Sequence, residues 1–111
     1  ASAAPAGAKV IGQILFEVDK TALNAEARSV IASAAAAMRK DTGLKVDISG
    51  FADQSGKADH NLDLAKRRAQ AVRDALAAAG APADRINLLK PAFVVGGATA
   101  EARRVDLLAS R

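Results

Sequence analysis

Between two stretches whose apolar residues recur at helical spacing, one short segment alternates strictly. Leu44-Lys45-Val46-Asp47-Ile48-Ser49-Gly50 puts Leu44, Val46, Ile48 and Gly50 on one side and Lys45, Asp47 and Ser49 on the other. A period of two marks a strand with one buried face. Before it, Ala27, Val30, Ile31, Ala34, Ala35 and Met38 form one helical stripe; after it, Leu62, Ala65, Ala69, Val72, Leu76 and Ala79 form another. A half-buried strand between two amphipathic helices has those helices available to cover it, which restricts the chain to helices packed on a sheet.

Local signals set the expected boundaries. Asn24 is an N-cap candidate, Glu26 complements the helix dipole, Arg39 and Lys40 complement the far end, and Gly43 is placed to stop a helix over 25–40. Asn61 predicts a second N-cap with Asp63 in the first turn, and Gly80 with Pro82 ends that helix. Residues 10–18 read as a strand with Gly12 as a bulge or kink, and 53–60 as a surface loop. A turn at 83–85 leads into a strand over 86–89, and Gly96-Gly97 marks a loop. In a last strand Val105, Leu107 and Ala109 alternate with Arg104, Asp106 and Leu108. The expected fold is an α/β (α+β) sandwich of order β-α-β-α-β-β. Its mixed sheet is covered on one face by two helices and ends in a hairpin-like close.

Composition limits the core and the chemistry. Of the 111 residues, 29 are alanine and 27 are larger apolar residues, so the core is thin and the helices must sit close to the sheet. A second domain would need about 100 more residues. Residues 1–9, with Ala1-Ser2-Ala3-Ala4-Pro5-Ala6-Gly7-Ala8, read as a linker or tether, and 10–111 as the domain. The lack of Cys removes disulfides, thiolate catalysis and Cys-based metal sites, and the single histidine, His60, leaves little room for a triad. Asp53, Asp59 and Asp63 lack the EF-hand pattern. No catalytic residue, metal site or cofactor is expected.

The most informative residues are Asp53, just beyond a strand end, and Arg68, two turns into the following helix, whose expected start at Asn61 directs amide groups toward the same loop. A ligand with both an ammonium and a carboxylate would suit this set, Asp53 taking the former, Arg68 and the amides the latter. The alternative is that Asp53 and Arg68 pair with each other on the surface, an interaction of about 0–1 kcal/mol. On either view Arg68→Lys is expected to leave thermal stability almost unchanged.

The words Gly50-Phe51-Ala52-Asp53, Asn61-x-x-Leu64-Ala65-x-x-Arg68-Ala69 and Ala102-Arg103-Arg104-Val105-Asp106, with Gly56 and the Gly80 to Ile86 turn between them, resemble the OmpA-like C-terminal domain family from about Ile14 to Leu108. The family pattern has Gly-His-Thr-Asp, Asn-x-x-Leu-Ser-x-x-Arg-Ala and Asn-Arg-Arg-Val-Glu. This chain departs at Phe51, Ala52, Ala65 and Ala102, and its Pro91–Arg103 connection is shorter.

The resemblance implies non-covalent binding of peptidoglycan through the diaminopimelate of its stem peptide. Asp53 and Arg68 fall on the principal ligand positions, Asn61 on the helix-start position, and Arg103 and Arg104 on supporting ones. It further implies a periplasmic anchor of an envelope protein or of the outer membrane, touching membrane only through segments outside these residues. The departures imply weaker secondary contacts. Net charge +4 raises a nucleic-acid-binding module as the alternative, but the absence of Tyr and Trp argues against nucleic acid as a partner. A structural interaction domain with a decayed site is the other alternative.

Overall fold

The computed structural model describes residues 9–17, 20–53, 58–94 and 103–110, with the side chains of 53, 58 and 92–94 left outside that description. The elements are β1 (Lys9–Leu15), α1 (Ala25–Lys40), β2 (Lys45–Asp53), α2 (Ala58–Ala78), β3 (Ile86–Leu88), β4 (Ala92–Val94) and β5 (Arg104–Ser110), with a 3₁₀ turn at Ala83–Arg85. The strands run β1-β5-β2 across the sheet, and β3 and then β4 share the free edge of β2. β5 is antiparallel to both neighbours, while β3 and β4 are parallel to β2. This is the expected α+β fold, a mixed sheet with two helices.

Three details of topology differ from expectation. β5 does not close a hairpin on the preceding strand but lies between β1 and β2. It is buried on both faces from Val105 to Ala109, which suits a central position, whereas three-residue β3 and β4 suit an edge. β4 is an additional strand: Leu89 still donates to the Ile48 carbonyl, Lys90 and Pro91 interrupt the ladder, and pairing resumes at Ala92 opposite Phe51. β1 ends at Leu15, with Val18 outside the described residues. It begins at Lys9, which pairs with Ala109 inside the span read as linker.

The core sits between the helices and one sheet face. Ile14, Met38, Val46, Ile48, Val72, Leu76, Val105 and Leu107 are its largest fully buried side chains, and Ala27, Ala34, Ala35 and Ala69 let the helices approach. Gly12 is the expected bulge: the β1–β5 register shifts between Val10 and Gly12, and a Cβ there would collide with Cγ1 of Val30 on α1. Asp47 and Ser49 are only 3% exposed, so the alternation of β2 does not leave its polar face in water. Their strand is central, flanked by β5 and by β3 with β4, and the residues opposite them on β5, Leu108 and Asp106, are buried as well.

The helix ends follow local chemistry where that chemistry is strong. Asn24 caps α1, its side-chain oxygen accepting from the Ala27 amide at 2.8 Å. Gly80 ends α2 with φ +100°; Ala81 N–H donates to Leu76 O and Gly80 N–H to Ala77 O, the paired bonds of a Schellman motif. Gly43, in contrast, is not the stop of α1. Asp41 takes extended geometry as the C-cap, and its carboxylate accepts from the Gly43 amide.

Two arginines complete these ends. Arg39 donates to the Ala79 carbonyl at the end of α2. Arg85 donates to the carbonyls of Met38, Asp41 and Leu44 at the end of α1, at 3.0–3.1 Å.

Candidate functional site

Gly50 fixes where α2 meets the sheet. A Cβ at Gly50 would sit 2.8 Å from the Ala65 carbonyl oxygen, so the helix backbone lies directly on the strand. Arg68, less than one turn further along, therefore shares the inward stripe with Ala65, Ala69 and Val72. It is 3% exposed.

The segment after β1 supplies partners for Arg68. Its Nε donates to Lys20 O at 2.9 Å and its Nη2 to Glu17 O at 3.1 Å, and the guanidinium carbon lies 5.3 Å from the Phe16 ring centroid. A guanidinium donates well to two such carbonyls because its N–H groups lie in one rigid plane. A ligand carboxylate cannot dock on the Nε–Nη2 edge without displacing them. Arg68 is thus not the exposed cation expected, and its substitution should cost stability.

Arg103 joins the same cluster from the other side. Its Nε donates to Phe16 O at 3.1 Å, and Phe16 N–H donates back to Arg103 O at 2.9 Å. The structure thus brings Arg68 and Arg103 together through Phe16. Arg104 is placed elsewhere: strand alternation sets it with Asp106 on the sheet face away from the helices. There its Nε meets Asp106 Oδ1 at 3.1 Å and its guanidinium stacks 4.1 Å from the Phe51 ring centroid.

Asp53 is the last residue of β2, paired with Val94, and its side chain lies outside the described atoms. Asn61 is not an N-cap. α2 begins at Ala58, so Asn61 is half-buried inside the helix, and Asp59, not Asp63, is the acid of the first turn. Of the span 53–60 expected as a loop, Asp53 belongs to β2 and 58–60 to α2, and 54–57 lie outside the described residues. Asp63 instead pairs with Arg67 one turn on, at 3.0 Å on the surface. Gly56, Gly96, Gly97 and Ala102 lie outside the described residues.

Sequence reasoning missed Phe16, Glu17 and Lys20 as partners of Arg68. Two of the three act through backbone carbonyls, which carry no residue signature. Among the described residues no cluster of three or more His, Cys, Asp or Glu is placed to hold a metal, and no helix is long and apolar enough to cross a membrane.

The architecture is that of OmpA-like domains. It superposes with TM-score 0.75 on the OmpA-like domain of FopA1 from Francisella tularensis, at 26% identity over 88% of this chain and 70% of that one. The peptidoglycan-associated lipoprotein from Burkholderia pseudomallei gives 0.76 at 22% identity, over 88% and 89%. Residues 15–104 match the OmpA family, and the chain belongs to it. Among its relatives is the peptidoglycan-associated lipoprotein of Agrobacterium fabrum, 34% identical over 77 residues, covering 69% of this chain and 44% of the relative. That of Brucella melitensis is 32% identical over the same length, 46% of the relative. The chain spans less than half the length of these relatives.

Proposed function

We propose that this domain binds peptidoglycan without catalysis and holds an envelope protein to the cell wall in the periplasm. The observation that carries the reading is the buried arginine of α2, Arg68, set at the position where the family pattern has its ligand arginine, in a chain whose relatives are named peptidoglycan-associated lipoproteins.

The ligand end in this reading is diaminopimelate, whose side chain ends in an ammonium and a carboxylate. Asp53 takes the ammonium, and the Arg68 guanidinium attracts the carboxylate. Its field is screened little by water because it is buried. Asn61 and Arg103 line or brace the same end. Arg104, on the far sheet face with Phe51, acts at the rim beside the end of β2. Attachment to the outer membrane is part of the proposal and resides in other segments of the protein.

Co-sedimentation with purified, protein-free sacculi tests the reading. Retention of the domain on sacculi, undiminished by added DNA, is the expected result. Retention on DNA that falls steeply with salt, with sacculi ignored, would replace it with the nucleic-acid alternative.

A further inference from the structure

We infer that Phe16 is the positioning residue of the Arg68 site and that Arg103 acts through it. The inference deepens the peptidoglycan reading and rests on it for its binding arm only. Arg68 has a long, flexible side chain, and a ligand gains affinity only if the guanidinium is already held where the carboxylate arrives. Phe16 supplies the platform. Its ring is buried under the guanidinium, and within four residues after it come the Glu17 carbonyl, which accepts from Arg68 Nη2, and the Lys20 carbonyl, which accepts from Arg68 Nε.

Phe16 lies just past the end of β1, where the ladder to β5 would otherwise stop. The two bonds between Phe16 and Arg103 extend it by one step: Phe16 N–H to Arg103 O, and Arg103 Nε to Phe16 O. Arg103 therefore clamps both main-chain groups of the residue whose ring carries Arg68. Its contribution to binding is indirect, and the family-derived expectation of Arg103 as a ligand-supporting group becomes one of support through Phe16.

The test uses Phe16→Leu, Arg103→Ala, their combination, and Ile14→Val as a stability control from the same strand region. The readouts are hydrogen exchange of the Arg68 Nε proton by NMR, assigned by its loss in Arg68→Lys, and retention on diaminopimelate-type sacculi. Phe16→Leu should speed that exchange at least about tenfold and weaken retention about fivefold, whereas Ile14→Val moves neither. Arg103→Ala should shift both in the same direction, and the combined variant should lose less than the product of the two, because both act on one element.

Phe16→Leu behaving like Ile14→Val would reduce Phe16 to a core residue and overturn the inference. Full multiplication of the two losses would put Arg103 on the ligand and overturn its indirect role. Should Phe16→Leu not fold, Arg103→Ala, at a half-exposed position, decides through Nε proton exchange alone. Should the parent domain ignore sacculi, the peptidoglycan reading fails while the exchange measurements still decide the positioning of Arg68.

Discussion

Gly50 and Ala65 bring β2 and α2 into backbone contact: no atom larger than hydrogen fits between the Gly50 Cα and the Ala65 carbonyl, since a Cβ there would be 2.8 Å from that oxygen. The register of the helix on the sheet, and hence the place of Arg68, depends on this glycine. Gly50→Ala should cost about 1–3 kcal/mol, the range for overpacking a tight contact, read from denaturant titration. A neutral Gly50→Ala would mean that α2 is free to shift outward.

Arg68→Lys should lower stability by about 1–3 kcal/mol, because an ammonium cannot serve both the Lys20 and Glu17 carbonyls and cover the Phe16 ring as the planar guanidinium does. This reverses the expectation from sequence, which treated Arg68 as a surface cation. A thermal midpoint equal to the parent's would contradict the buried geometry.

Leu76 is fully buried in the core of α2, whereas Arg73 and Asp74 form an exposed contact at 3.5 Å. Leu76→Ala should cost about 2–5 kcal/mol in chemical denaturation, and Arg73→Ala should remain within about 0.5 kcal/mol of the parent. Comparable losses at the two positions would show that the helix phase is wrong.

Arg85 accepts the duty of closing α1, with its guanidinium on the carbonyls of Met38, Asp41 and Leu44. Arg85→Met keeps the apolar stem and removes the donors, and should destabilise by about 1–3 kcal/mol. Hydrogen exchange should then rise first in the last turn of α1. Unchanged protection of that turn would contradict the assignment.

What the sequence disclosed was mostly local. Asn24, Gly80 and the alanine stripes act within a few residues, and each stands where its chemistry predicts. Asn61 misled because a helix-start residue type inside a polar stretch mimics a cap, while the helix already begins at Ala58. The central place of β5 and the addition of β4 depend on pairings distant in the chain, which no local pattern encodes. The match of Arg68 to the family pattern was legible; its burial was not, because it is held in part by main-chain carbonyls 48 and 51 residues away.

The most direct test of the central claim compares retention on diaminopimelate-type and lysine-type sacculi, with free diaminopimelate as competitor. Lysine keeps the ammonium that Asp53 would take but lacks the carboxylate assigned to Arg68. The account predicts that the domain binds the diaminopimelate-type wall at least about tenfold more tightly, a difference near 1.4 kcal/mol. It also predicts that Asp53→Asn weakens that binding and that free diaminopimelate displaces the domain. Equal retention on the two walls, unaffected by diaminopimelate or by Asp53→Asn, would contradict it.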